Sequence, residues 1–535
     1  MAFDILLKNG EIYDGTGSPA FLGDVAVHNG YIAEITGPGA LKEQNFKDVI
    51  DVTGLVVSPG FVDLHTHSDF TLIADGRAQS QVYQGVTTEV IGQCGISCAP
   101  VCNHKDIPIV SPWFTKKAKH KKWNSFGEYL NTLSAQGIGV NVVAFVGHGT
   151  VHRAVLGNGL KAGDPSEIKE MGDLVEKCFE EGAGGFSSGL EYFPGILSSP
   201  RHLIPLCEIA AGRDRLYATH VRNRDTHYDL GFAEAISTAR QSGARLQISH
   251  IQPKFGAPSY AMEHTLEMLE AARNHDVDVA FDVIPHDWNH TLMAAILPKW
   301  AQAGSVNDIL SRLCSREDRM KIKENPQPMM LIVKAKKWKD IILLNATENK
   351  KLVGANFEEI GQMRGIDPFD AVLDILAEES ENMLSAMWSS KSFNDTDIEM
   401  CLTQPECAVI SDTVAISNDG LLKDHIGSLS GYGWAARFLQ HYVRDRKVIG
   451  LSEALRKITS IPAERLGLKD RGKLVANFHA DISVFDKNSI VSNSTPKQPR
   501  CYATGVAHVL VNGQFAVRNG IRQPVNNGRV IREFN

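Results

Sequence analysis

Nowhere in the chain do about 18 uncharged apolar residues run together, the length a membrane-crossing helix needs. That argues against a membrane span. The opening Met-Ala-Phe-Asp-Ile-Leu-Leu-Lys-Asn-Gly joins no basic start to a long apolar stretch, so no secretory signal is expected. An excess of one charge is also missing: 62 acidic against 55 basic residues give a net charge of −7, without a large basic block. The one basic cluster, residues 116–122 (Lys-Lys-Ala-Lys-His-Lys-Lys), has no interleaved aromatics and reads as a solvated loop rather than a nucleic-acid surface. The nine cysteines form no paired framework, and 535 residues that are 43% apolar can bury a core without staples. Reduced thiols in a cytoplasmic compartment follow as the expectation. The expected partner is a small molecule, with no nucleic acid and no membrane; a homo-oligomer is compatible with all of this.

What is present divides into three stretches. Residues 1–55 alternate apolar and polar positions around Asn9-Gly10 and Asn29-Gly30, a dipeptide that favours hairpin turns. The same grammar returns at 480–486 and 508–517, with Asn512-Gly513. Neither end has enough apolar surface to stand alone, so residues 1–55 and 466–535 are expected to form one small β-sandwich together. Between them, over 56–465, strands near 56–65, 86–94, 140–147, 183–188, 215–220, 244–250, 277–283 and 407–412 alternate with amphipathic helices. Eight strands in that pattern predict an α/β fold, a (β/α)8 TIM-like barrel. The gap from 283 to 407 is too long for a plain connection. It predicts an insertion over 286–350, placed as a lid, then helices over Pro368–Glu379 and 395–404.

Residues of metal-ligand type stand at the ends of these strands. His65 and His67 close the first, and their period-2 spacing puts both imidazoles on one face, about 6–7 Å apart. Cys94, His220, His250 and Asp412 close four others. Alone, each has a bland meaning: a core thiol, a satisfied histidine, a capping carboxylate. The C-terminal ends of barrel strands, however, are where this architecture builds its active site, and six such residues meeting there predict a zinc hydrolase. Cys178, Cys207 and Cys314 read as ordinary core thiols. Cys98 and Cys102 follow Cys94 without any Cys-x-x-Cys pair, a weak basis for a separate metal site.

Together the motifs resemble the amidohydrolase superfamily and, within it, the N-acyl-D-amino-acid deacylase (D-aminoacylase) family. Pro59-Gly-Phe-Val-Asp-Leu-His-Thr-His is similar to the superfamily's His-x-His strand. Gly92-Gln-Cys-Gly-Ile-Ser resembles the signature of the branch that bridges its metals with cysteine rather than carboxylated lysine. Phe145-Val-Gly-His-Gly-Thr, Gly189-Leu-Glu-Tyr-Phe-Pro-Gly and Thr219-His-Val-Arg-Asn extend the likeness. It implies one tight zinc on Cys94, His220 and His250. It implies a second, weaker position on His65, His67 and Asp412, with Cys94 shared. Water activated there would attack an amide carbonyl, with Asp412 as general base and then acid. Tyr192 would bind the substrate carboxylate; His148, Arg222 and Glu191 are expected to orient donors around the metal, with Glu191 as a further ligand the alternative. The same barrel and metal logic also serves cyclic amides, as in dihydroorotases and hydantoinases. A metal-binding scaffold without catalysis is a third reading, though a scaffold needs no base.

Three departures from the family pattern bear on specificity. Asp282-Val-Ile-Pro-His286 stands where the family has Asp-x-Tyr-Pro-Tyr, Ile251-Gln252 replaces a His-Lys, and Thr413 replaces a glycine. Donors to a substrate carboxylate are thereby lost. His286, Trp288, His290 and Lys254 are expected to build a different pocket. The preference for a free acid over a neutral or aryl amide should flatten unless Lys254 or an arginine from the lid takes over the role.

Overall fold

The computed structural model describes residues 3–101, 122–326, 331–425 and 427–534. Cys102 and most of the basic run fall outside them.

Both chain ends enter one nine-stranded sheet in the order β20-β19-β18-β17-β5-β1-β2-β3, with β4 beside β1. From the N-terminal side come β1 (Phe3–Ile12), β2 (Phe21–His28), β3 (Tyr31–Thr36), β4 (Phe46–Asp51) and β5 (Val56–Pro59). The C-terminal side supplies β17 (Ile482–Phe485), β18 (Val506–Val511), β19 (Gln514–Arg518) and β20 (Ile521–Arg522). Antiparallel pairing of β5 with β17 joins the two ends. A bridge from Tyr31 to His479 then curls the sheet around Leu7, Val25, Val57, Ile482 and Leu510. Asn29-Gly30 and Asn512-Gly513 make the expected turns, all four residues with positive φ. Asn9-Gly10 does not. It is a bulge inside continuous β1, where the Asn9 amide donates to Asp24 Oδ1 at 2.8 Å and a side chain at position 10 would strike Val57.

The run expected as one strand over 56–65 is two. Residues 56–59 belong to the terminal sheet, and the chain turns at Gly60 to start the barrel with β6 (Phe61–Asp63). Seven more parallel strands follow: β7 (Val86–Ile91), β8 (Asn141–Gly147), β9 (Gly185–Gly189), β10 (Leu216–His220), β11 (Arg245–Ile248), β12 (Val279–Val283) and β16 (Cys407–Val409). The seam between β16 and β6 closes through main-chain bonds just beyond the strands, from the Asp412 amide to the His65 carbonyl at 3.0 Å and from the His67 amide to the Thr413 carbonyl at 2.7 Å. Helices cap where the sequence provides for it: Asp164 accepts from the Ser166 and Glu167 amides ahead of Pro165–Glu180, with Pro at the first turn.

The insertion is larger than expected. It holds β13 (Trp288–Leu292), β14 (Ile341–Asn345) and β15 (Met387–Lys391) in a separate three-stranded sheet, so it runs to about residue 391 and includes the helix Pro368–Glu379. Its own core gathers Ile296, Leu313, Phe357, Phe369, Leu376 and Trp388. Apolar spacing alone could not show that this helix faces the insertion rather than the barrel.

Candidate active site

The strand ends converge. Cys94 Sγ lies 3.3 Å from His65 Nε2, 3.5 Å from His250 Nε2 and 3.8 Å from His220 Nδ1. Asp412 Oδ1 is 3.3 Å from both His65 Nε2 and His67 Nε2, and Oδ2 is 4.0 Å from His250 Nε2. Two donor groups result, His65, His67, Cys94 and Asp412 on one side and Cys94, His220 and His250 on the other, sharing the sulfur. A tetrahedral shell at zinc's bond lengths of about 2.0–2.3 Å has edges of about 3.3–3.7 Å. Four of the six donor separations fall at that spacing and the other two, 3.8 and 4.0 Å, lie just above it; the mix of imidazole, thiolate and carboxylate suits zinc.

Backbone strain is concentrated here. Cys94, His250 and Asp412 all have positive φ, at 52°, 36° and 52°. Non-glycine residues stay there only where their surroundings hold them. Buried carboxylates do the holding. Asp282 Oδ1 accepts from the His250 amide at 2.6 Å, and Asp63 Oδ1 accepts from the His65 and Ser411 amides at 3.3 and 3.1 Å. Burial pushes both acids up, Asp282 to about 6 and Asp63 to about 7, against the opposing pull of those bonds. Near Cys94, Ser187 Oγ bridges the Gly95 amide and the Gly92 carbonyl.

Charge organises the cluster. Burial opposes the Cys94 thiolate, yet the His65 charge and bonds from His220, His250 and His65 hold the thiol well below its usual range. Burial would also raise Asp412, but His250, His65 and His67 keep it ionised. His220 is fixed from behind: its Nε2 meets Glu191 Oε2 at 2.7 Å, leaving Nδ1 toward the sulfur. Burial alone would raise Glu191, but Lys254, at 2.6 and 2.8 Å, together with His220 brings it down to about 2.

The structure therefore sorts the expected residues. Glu191 Oε2 pairs with His220 Nε2 and is not one of the grouped donors. Tyr192 lines the cleft above the cluster, its ring edge-on to His220 and its hydroxyl 3.4 Å from Thr291 Oγ1. Lys254 reaches the same cleft, but its ammonium is committed to Glu191 rather than open to substrate. His148 bonds Ser198 Oγ at 3.2 Å, and Arg222 grips Glu234 and the Ile196 and Ser198 carbonyls; these bonds tie them to the neighbouring loop and helix, not to the donors. Of the other residues expected in the pocket, His290 on β13 lines the cleft, whereas His286 is buried and is not among the residues lining it. The sequence reading passed over Asp63, Asp282 and Arg224. Asp63 had a signal, since it shares the strand face of His65 two positions on.

The amidohydrolase family model matches residues 48–205 and 412–517. The D-aminoacylase of Alcaligenes xylosoxydans xylosoxydans is 29% identical over 96% of this chain and 94% of its own length. The N-acyl-D-glutamate deacylase of the same organism is 28% identical over 95% and 93%. An N-acyl-D-glutamate deacylase from Bordetella bronchiseptica, solved with zinc and a phosphonate mimic of the tetrahedral intermediate, superposes with a TM-score of 0.82 at 26% identity and covers all of both chains. Among the described residues, no helix is long and apolar enough to cross a membrane.

Proposed function

We infer that this chain, which belongs to the amidohydrolase family, is a zinc-dependent hydrolase of linear amides of the N-acyl amino acid type. The observation that carries the reading is the pair of donor groups sharing Cys94 at the floor of a cleft, with Asp412 between donors and cleft. Cys94, His220 and His250 would hold the tight zinc; His65, His67 and Asp412, with the same sulfur, would hold a second and weaker one. Zinc bound there supplies Lewis acidity for the carbonyl and lowers the pKa of water toward about 7.

The residues of the chain do the rest. Asp412 Oδ1 and Oδ2 are the only carboxylate oxygens in either donor group. The carboxylate takes a proton from the attacking water and returns it to the amine nitrogen as the C–N bond breaks, leaving a carboxylate and an amine. Glu191 holds His220 in one tautomer, so the donor geometry is set before substrate arrives. Tyr192 and the β13 residues Asn289, His290 and Thr291 line the cleft. The D-aminoacylase and the N-acyl-D-glutamate deacylase match over nearly their full length at 29% and 28% identity, which favours this reading over a cyclic-amide hydrolase.

The test is a panel of N-acyl amino acids of both hands, cyclic imides and aryl amides, assayed with metal analysis. Turnover of an N-acyl amino acid by zinc-loaded enzyme is expected, with Asp412→Asn losing at least about 10² in kcat while keeping the tight zinc. Turnover of hydantoins alone would replace the reading with the cyclic one, and zinc retained with no hydrolysis would leave a scaffold.

A further inference from the structure

Arg224 is the charge in this cleft without a counterpart. It lies four residues past His220, is 3% exposed and lines the same cleft as Tyr192, His220, His290 and Asp412. Nη1 is engaged, donating to the His250 and Gln252 carbonyls. Nε is buried with no partner, and among the described residues no carboxylate lies within 4.0 Å of the guanidinium. The acids close by are occupied elsewhere. Glu191 is taken by Lys254 and His220; Asp225 Oδ1 accepts from Thr226, and its Oδ2, though buried without a partner, makes no ion pair with Arg224 within 4.0 Å. Phe393 closes the other side, its ring centroid 5.7 Å from the guanidinium carbon.

A buried cation with an unused donor is costly unless something completes it, because charge removed from water must find a partner. Arg224 lines the cleft in which the substrate must lie. Resting on the amide-hydrolase reading above, we infer that Arg224 receives an anionic group of the substrate, a carboxylate, and sets the preference for charged over neutral amides. A planar guanidinium already held through Nη1 offers its other edge in fixed orientation, which matches the two oxygens of a carboxylate. Lys254 does not compete for this role, since its own carboxylate lies 2.6 Å away.

The experiment compares N-acetylleucine of each hand with its carboxamide on zinc-loaded wild type, Arg224→Met and Arg224→Lys, with zinc content measured throughout. Wild type should prefer the acid at least tenfold in kcat/KM. Arg224→Met should lower kcat/KM for the acid by about 10–150-fold, the range for losing a bond to a charged group, and lower that for the carboxamide at least about tenfold less; Arg224→Lys should fall between. An acid-to-carboxamide ratio unchanged in Arg224→Met overturns the proposal, and so does equal loss on both, which would mean that Arg224 only braces the His250 carbonyl. Should Arg224→Met not fold, the ratio in Arg224→Lys decides in the same way. If wild type hydrolyses neither compound, the amide-hydrolase reading is what fails. Calorimetric binding of N-acetylleucine against its carboxamide then still tests Arg224: acid-selective binding lost in the variants supports it, and equal binding overturns it.

Discussion

At the scale of single residues, Cys94 decides whether there is one metal centre or none, because its sulfur is the atom common to both donor groups. A serine there keeps the volume but not the chemistry, since a hydroxyl is neither soft nor readily ionised beside zinc. Cys94→Ser should therefore lose most of the zinc and the activity. Cys178→Ser, a buried thiol in the helix Pro165–Glu180 whose ionisation burial suppresses, should keep both. Metal analysis of the two purified variants checks this, and full zinc content in Cys94→Ser would remove the sulfur from the ligand set. The donors could be read in the sequence because each is a distinctive residue type at the end of an apolar run. The sorting of Lys254 from Arg224 could not. Both are cations a few residues beyond a ligand, and only the fold shows that one has Glu191 and the other has no carboxylate.

At the scale of elements, the strands were legible from β-branched apolar runs, but their ends were not. Residues 56–65 read as one run because Val56 and Val57 are as apolar as Phe61 and Val62; nothing in composition distinguishes pairing with β17 from pairing with β7. The insertion was legible as excess length only, since its sheet is built from segments some 50 residues apart. Strand ends also explain the glycine two residues before Cys94. Gly92 has φ of +79°, and a side chain there would press into the Phe145 carbonyl on β8. Replacement would combine left-handed strain of about 1–3 kcal/mol with a backbone clash. Gly92→Ala should thus weaken zinc binding by about tenfold or more, although position 92 touches no metal donor. Competition with a chelator measures it; zinc affinity equal to wild type would show that the turn tolerates a side chain and that Cys94 is placed by other contacts.

At the scale of the whole molecule, stability against acid should depend also on groups outside the donor cluster. His148 and His152 lie one turn apart on the helix His148–Leu156, both buried. Burial lowers His148 to about 3, helped by the nearby charges of His152, His202 and Arg222. Burial likewise lowers His152 to about 4, with Arg153 acting in the same direction and the Lys161 carbonyl against it. In the unfolded chain both would titrate near 6.5. Above that value both states are neutral and pH has no leverage. As pH falls below about 6.5 the unfolded chain takes up protons that the folded chain refuses until about 4 and 3, so stability is lost on acidification, by about 1.4 kcal/mol per pH unit for each group fully engaged. Metal ligands must also stay deprotonated and add their own loss, so the contribution of the pair has to be read as a difference. His148→Asn should have a shallower fall of Tm between pH 6.5 and 4.5 than wild type, even though its Tm at pH 7.5 is lower through the lost bond to Ser198. Parallel curves for the two proteins would mean that His148 is protonated in the fold and that acid sensitivity resides at the metal centre alone.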